Sequence, residues 1–449
     1  MTLGGVSTTL STSSIDSKFA SLIPPGERLA LFGGPRVLLE TPRETWRKID
    51  DNVKRAVHHL MDEGICTIPG GTGVVQEFES AFAELTGSKH ALAMNSGTSA
   101  LHSAYVAIGV GPGDEVIVPT YTWHATITPV LHCAATPVFC DIDPRTLTIC
   151  PTDIERKITP QTKAISVVHV WGNVCDMSRI LDIAKRHNLA VIEDCSHAHG
   201  ASWHGQPVGS MGSIGCFSCQ GPKAVSGGEL GVAVTNDADL YDRMILLGHF
   251  GRAKISANES IKEVGDMSLG AKYRAHAWAV AMAKEDLKRL SELNARRTLN
   301  YRILNEGLSG CFGIERIETL PGAQRGGFLE FKFKLTDEAL DITTRDRIVE
   351  AIQAEGVPMV ADRYSSFNYT YGLLHTAPLF TTFDLRSIGG CFYDPKTNKS
   401  SHPISLPHSE SVAGRLIGMD AFIGLQEATM HKMVVGMRKV MSNLDALAL

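Results

Sequence analysis

Residues 213–236 read SIGCFSCQGPKAVSGGELGVAVTN: a short apolar run, a small-residue loop carrying one lysine, and a second apolar run. SIGCFSC (213–219) and GVAVTN (231–236) have the length and composition of buried strands, with Gly and Pro marking the turn between them. Working outward, similar runs recur at HALAMN (90–95), EVIVPT (115–120), TPVFCDI (136–142), KAISVVHV (163–170) and LAVIEDC (189–195). Helical patterns lie between several of them: TSALHSAYVAIGV (98–110), a segment starting at Tyr121, and DMSRILDIAKRHN (176–188). Near-continuous apolar strands separated by helices predict an α/β fold with a mostly parallel seven-stranded sheet covered on both faces. Such sheets bind ligands at the carboxyl ends of their strands. The residues just past each run are therefore the candidates for chemistry.

Upstream, WRKIDDNVKRAVHHLMDEG (46–64) predicts a helix with Ile49, Val53, Val57 and Leu60 on one face. A Gly-rich turn from Pro69 to Gly73 leads to a second helix, VVQEFESAFAELTG, closed by Gly87. Downstream, AWAVAMAKEDLKRLSELNARRTLNYRIL (277–304) predicts one long helix entering a smaller α/β lobe. The expected organisation is a flexible Ser/Thr-rich arm (1–28), a large lobe (29–298) and a small C-terminal lobe (299–449). Thr381 to Pro403, rich in Gly, Ser, Pro and Lys, reads as a surface excursion.

The formal net charge is −5 with no long Lys or Arg run, which argues against a nucleic-acid or anionic-membrane partner. No apolar run approaches the roughly 20 residues a bilayer demands. The N-terminus lacks an apolar leader core, so a cytoplasmic enzyme is expected. The ten cysteines are scattered, mostly within apolar segments. Cys216 and Cys219 have CxxC spacing, but no second CxxC or suitably spaced His accompanies them. Reduced, buried thiols are the expectation, with no metal site.

Asn95-Ser96-Gly97-Thr98-Ser99 follows a strand and opens a helix, where backbone N–H groups and the helix dipole favour a phosphate, or where Ser and Thr simply cap. Asp194 ends an apolar strand, where a carboxylate must be paired; a pyridinium N–H is one partner, a following helix N-terminus another. His197, three residues on, can bond or pack beside such a ring. Lys223 lies in a Gly-rich loop between strands, where desolvation lowers an amine's pKa and suits it to Schiff-base formation; a solvent-facing lysine is the alternative. Ser218, five residues earlier, can donate to a phosphate, and Gly227, Gly228 and Gly231 allow a tight turn. Trp123, just past EVIVPT, can stack on a flat heterocycle or fill a core.

Taken together, NSGTSALHSAYVAIGVGPGDEVIVPTYTW, PVFCDIDPRTLTI, VIEDCSHAHGA, GSIGCFSCQGPKAVSGGELGVAVTND, HFGR and LGAKYR resemble the DegT/DnrJ/EryC1/StrS family of sugar and cyclitol aminotransferases, over about residues 30 to 445. The resemblance implies an aspartate-aminotransferase-like fold (PLP fold type I) and pyridoxal 5′-phosphate (PLP) as cofactor. It implies that Lys223 holds the cofactor covalently, Asp194 pairs with the ring nitrogen, Trp123 stacks on the ring and His197 lies near its phenolic oxygen. Gly97, Thr98, Ser99 and Ser218 would cradle the phosphate. Lys272, where many members carry Asn, would reach the phosphate of the second subunit of a homodimer. FSCQGPK and LALFGGPRV most resemble the branch acting on scyllo-inosose and its deoxy form, together with the aminohydroxybenzoate synthases. The implied function is transfer of an amino group from glutamine or glutamate to a keto-sugar or keto-cyclitol, in aminosugar or antibiotic biosynthesis.

Two departures bear on the reaction. Leu230 replaces a glycine of the usual Gly-Glu-Gly-Gly, which places a bulky side chain near the cofactor loop. Ala275-His276-Ala277-Trp278-Ala279 replaces a common Leu-Ser-Glu-(Phe/Ile)-Gln. They keep open a PLP lyase, dehydratase or carbon–carbon bond-forming enzyme on the same scaffold. A non-catalytic PLP-binding sensor is a third reading, opposed by the retention of both Lys223 and Asp194.

Overall fold

A computed structural model describes residues 27–43, 49–256, 258–265, 267–365, 372–382 and 405–448. The arm expected at 1–28 thus lies outside the described residues except for Glu27 and Arg28, as does most of the excursion expected from Thr381 to Pro403.

All seven apolar runs form one sheet. Its strands are β1 (His90–Met94), β2 (Glu115–Pro119), β3 (Thr136–Cys140), β4 (Thr162–Val168), β5 (Ala190–Asp194), β6 (Ile214–Ser218) and β7 (Gly231–Thr235). Their order is β1-β7-β6-β5-β4-β2-β3. The neighbours from β6 to β3 are parallel, and β7 runs antiparallel to both β1 and β6. The chain thus reverses once, at the loop that carries Lys223. Buried cores fill both faces. Phe78, Phe82, Phe217 and Leu290 lie in one; Leu101, Tyr105, Val130 and Met244 lie in the other.

The first helix, α1 (Asp51–Asp62), starts five residues later than its periodicity suggests. Asp50 sets the start, its carboxylate accepting from Asn52 N and Val53 N. Val53 and Leu60 are buried as expected, but Ile49 lies before the cap and is exposed. Helix α2 (Val74–Thr86) ends at Gly87, whose φ of +67° is the left-handed cap that glycine adopts without steric cost. The segment from Tyr121 is not one helix. Tyr121 is buried in irregular backbone, and only a short turn (His124–Thr126) and one further turn of helix (Thr128–His132) follow. Helices α3 (Gly97–Ala107), α4 (Met177–His187) and α5 (Ala238–Gly248) complete the cover of the sheet.

The long helix α6 (Ala277–Gly307) leads to a second, antiparallel sheet of β8 (Ile314–Arg316), β9 (Glu330–Leu335), β10 (Val360–Ala361) and β11 (Leu416–Asp420), ordered β8-β9-β11-β10. Helices α7 (Arg345–Ala354) and α8 (Glu427–Met441) pack against it around Phe331, Phe333, Ile352 and Met437. Leu29 and Leu38, assigned by chain order to the larger lobe, join this second core instead. The reason is a fully buried ion pair. Lys439 Nζ lies 3.1 Å from Glu355 Oε2 and 2.7 Å from the Pro35 carbonyl oxygen, and Ala30 N donates to Glu355 Oε1 at 2.8 Å. LALFGGPRV is therefore fastened to the small lobe through its backbone.

Removing one partner of such a pair strands the other charge, so Glu355→Ala should cost about 3–5 kcal/mol. Glu355→Gln with Lys439→Met should cost markedly less. Denaturant unfolding of the two variants measures the difference, and equal losses would refute the pairing.

Candidate active site

The carboxyl ends of β5 and β6, the start of α3 and the loop after β2 surround a cavity of about 430 Å³. It is lined by Gly97, Thr98, Trp123, Asp194, His197, Ser218 and Lys223, so seven sequence-predicted positions converge. A wider hollow of about 570 Å³ along α6 contains none of them.

Strand alternation separates the two acids that end β5. Glu193 is buried away from the cavity, its carboxylate accepting from Gly209 N, Met211 N and Gly212 N at 2.6–2.8 Å and lying 3.1 Å from His169 Nε2. It fixes the turn that feeds β6. Asp194 faces the cavity and is only 4% exposed. Its Oδ2 accepts from Thr126 Oγ1 at 2.7 Å and its Oδ1 from Ser196 N at 3.0 Å.

Lys223 is half-buried on the same cavity. Burial pushes its amine down to about 8; the Asp194 carboxylate opposes this and the Arg363 guanidinium adds to it. His197 is buried between aromatic rings, its centroid 5.1 Å from Trp171 and 6.1 Å from Tyr364. Trp171 N donates to its Nδ1 at 3.2 Å, which leaves the ring proton on Nε2, 3.4 Å from the Tyr364 hydroxyl. Burial first, then the Lys223 and Arg363 charges, hold this imidazole neutral. Trp123 is 41% exposed, so it is not a core tryptophan; its ring forms part of the cavity wall.

At the other end, α3 opens with a capping box. Ser96 Oγ accepts from Ser99 N, and Ser99 Oγ bonds both the Ser96 amide and its carbonyl oxygen. The Ser99 hydroxyl is thereby committed to the helix end and does not line the cavity, unlike the half-buried Thr98. A Cβ on Gly97 would sit 2.7 Å from Ser218 Cβ, and one on Gly231 2.1 Å from the Ser96 carbonyl oxygen. These glycines let β6 and β7 approach the helix N-terminus, where free N–H groups and two hydroxyls meet. The donor set suits a phosphate. With an exposed aromatic face, a buried carboxylate and a neutralisable amine beside it, the cavity fits a flat, phosphorylated, aldehyde-bearing heterocycle.

Both departures fall outside the cavity wall. Leu230 is fully buried in the core beside Cys219 and Val225, because at the head of β7 it points opposite to Gly231. Its bulk is packed against the lysine loop as expected, but on the core side rather than the cavity side. His276 caps α6 by accepting from Trp278 N, and Trp278 Nε1 donates to the Ile65 carbonyl at 2.8 Å, fixing α6 to the end of α1. Neither change supplies a group for alternative chemistry.

HFGR and LGAKYR form one anchored excursion. Arg252 makes a two-pronged pair with Glu79 of α2 at 3.0 and 3.2 Å, and His249 Nε2 bonds the Ala93 carbonyl. The Arg274 guanidinium lies 3.9 Å over the Phe250 ring, and Asn95 N donates to the Tyr273 carbonyl. Lys272 stands exposed at the turn with φ +56°, outside this chain's cavity wall. Asn adopts that left-handed conformation more readily than Lys does.

Arg363 and Tyr364 also line the cavity and were missed in the sequence. They are held by a buried cluster joining the two lobes. Lys332 Nζ lies 2.5 Å from Glu330 Oε2, 2.7 Å from Asp362 Oδ1 and 4.1 Å from the Trp171 ring centre. Burial works against the Lys332 charge, but the two carboxylates outweigh it and raise its pKa above the ordinary value. Glu330 also pairs with Arg363; Tyr121 OH donates to Asp362 at 2.9 Å and accepts from Trp171 Nε1 at 2.9 Å. The alternation Glu330-Phe331-Lys332-Phe333 was the available signal, since it puts charges on one strand face and core rings on the other.

Strand order, the lysine loop at the single reversal and the facing carboxylate define an α/β enzyme of the aspartate-aminotransferase type (PLP fold type I). A family model described as the DegT/DnrJ/EryC1/StrS aminotransferase family matches residues 47–385. The chain belongs to that family and is an aminotransferase of the PLP-dependent kind. It is 37% identical over 337 residues to an L-glutamine:scyllo-inosose aminotransferase of Streptomyces griseus, covering 73% of this chain and 78% of the relative. It is 47% identical over 213 residues to a GDP-perosamine synthase of Caulobacter vibrioides, covering 47% of this chain and 56% of the relative. A solved structure of DesI in the presence of its TDP-sugar product superposes with a TM-score of 0.75 at 26% identity, covering 93% of this chain and 97% of DesI. Among the described residues, no helix is long and apolar enough to cross a membrane.

With its amine pushed down to about 8, Lys223 should be neutral above that pH and protonated below it. In the cofactor-free protein, modification of this lysine by an amine-selective reagent should rise between pH 7 and 9, ahead of exposed lysines. Peptide mapping across pH checks this; a midpoint near 10.5 would contradict it.

Proposed function

We propose that this enzyme transfers the amino group of glutamine or glutamate to a keto-cyclitol or keto-sugar, using PLP held by Lys223. The observation carrying this reading is the convergence of Lys223, Asp194, Trp123 and the α3 N-terminus on one cavity at the strand ends. The choice of donor and acceptor follows the inosose and sugar aminotransferases to which the chain is similar.

In this reading Lys223 binds the cofactor through its amine. Thr98, Ser218 and the Gly97 backbone hold the phosphate, with Ser99 acting through the helix cap. Asp194 would accept a hydrogen bond from the protonated ring nitrogen, Trp123 would cover one ring face, and the neutral His197 would donate from Nε2 near the ring's edge. When bound, PLP supplies an electron sink for the carbon that loses its proton. Lys223, once displaced by the donor, takes that proton as a general base and returns it; an amine whose pKa lies near 8 is suited to both. The same residues then act in reverse order on the ketone.

The enzyme works as a homodimer, with Lys272 extending to the partner's phosphate site. Exposure of Met267 (71%) and Leu269 (69%) beside Lys272 supports a covered surface there. A division into an arm (1–28), a large cofactor lobe reaching to 298 and a small lobe (299–449) belongs to the same reading, with the segment 29–38 counted with the small lobe on which it packs. So does a cytoplasmic site of action, supported by nine free cysteines among the described residues.

Glutamine or glutamate alone should convert the reconstituted enzyme to its pyridoxamine form, bleaching the visible band. Adding scyllo-inosose, its 2-deoxy form or a nucleotide keto-sugar should restore it for the true acceptor class. Lys223→Ala should lower turnover by at least about a thousandfold. A band insensitive to both donors would overturn the reading.

A further inference from the structure

Asp194 does not stand alone in the cavity wall; it ends a short line of buried hydroxyls. Thr126 is 1% exposed, and its hydroxyl lies 2.7 Å from Asp194 Oδ2. An ionised carboxylate only accepts, so Thr126 must donate. The Thr122 hydroxyl, 3% exposed, lies 3.1 Å from Thr126 Oγ1 and must donate to it in turn. Behind them the Tyr105 hydroxyl donates to the Thr126 carbonyl at 2.8 Å, fixing the backbone of that turn, and lies 2.9 Å from Ser166 Oγ. On the other side Ser196 N occupies Oδ1. Two donors thus fix the carboxylate plane.

We propose that Thr126, oriented by Thr122, is a positioning residue that keeps the Asp194 carboxylate aimed at the ring nitrogen of the cofactor. The inference rests on the proposed PLP role of this cavity and extends it to Thr126, which stands behind the cavity wall, and to Thr122, which is part of that wall. A hydrogen bond to a charged group is among the stronger ones, and its loss frees the carboxylate to rotate away from the ring nitrogen. The ring nitrogen then holds its proton less firmly, and the ring draws less charge from its linkage to Lys223. Besides Lys223 across the cavity, Glu193 on the same strand is the charged group nearest Asp194 along the chain. Tyr105, Cys195, Cys216 and Tyr364 are titratable groups that feel its charge, and His197 and Arg363 share the cavity wall with it.

The experiment uses the PLP-reconstituted full chain and its Thr126→Val, Thr126→Ala, Thr126→Ser and Thr122→Val variants. Three readouts are taken: the PLP dissociation constant, the pH midpoint of the visible band, and the thermal midpoint of the cofactor-free protein. Thr126→Val should bind PLP about tenfold more weakly and titrate at a midpoint higher by about half a unit or more. Thr126→Ser should restore both, and Thr122→Val should show a smaller shift of the same sign. If Thr126→Val does not fold, Thr126→Ala carries the same comparison. Wild-type-like binding and titration in a folded Thr126→Val or Thr126→Ala would overturn the proposal while leaving the PLP reading intact. A wild-type chain that takes up no PLP would overturn both.

Discussion

A carboxylate cannot be left bare at the buried end of a strand, and Asp194 shows how this chain meets that constraint. Two donors, Thr126 Oγ1 and Ser196 N, take part of its accepting capacity and leave the remainder facing the cavity. The neighbouring Lys223 amine is depressed rather than paired into inertness, because burial and the Arg363 charge outweigh the pull of Asp194. The sheet sets this balance. Strands β5 and β6 deliver the acid and the lysine loop side by side, and the antiparallel β7 turns the chain back past α3.

Much of this was legible because it is written in local pattern. The seven apolar runs, the α2 stop at Gly87 and the extent of α6 depend on period and on residues with fixed conformational tastes. The site residues were legible through their place just beyond strands. What failed were inferences needing the third dimension. The helical period around Ile49 gave no warning that Asp50 would cap the helix after it. Leu230 does pack against the lysine loop, but chain distance could not tell that its side chain enters the core rather than the cavity. Arg363 and Tyr364 were invisible because they reach the cavity through a cluster whose members are separated by up to hundreds of residues along the chain.

The glycines of the lysine loop show how one residue type serves different ends. Gly228 supplies a φ of +85°, whereas Gly227 and Gly231 make room for backbone, at the Ala279 and Ser96 carbonyls respectively. Gly97 does the same for Ser218. Close approach, more than turn geometry, explains why small residues crowd this end of the sheet.

The cluster of Lys332, Glu330, Asp362, Tyr121 and Trp171 has a mechanical consequence. Prising the lobes apart by one layer of water would part the buried Lys332 cation from the Trp171 face and the Asp362 carboxylate from the Tyr121 hydroxyl, at a cost on the order of a few kcal/mol. That penalty is comparable to a sizeable share of the stability of an ordinary domain. The two lobes therefore act less like jaws than like halves of a sealed vessel, and traffic in and out of it is left to the rim.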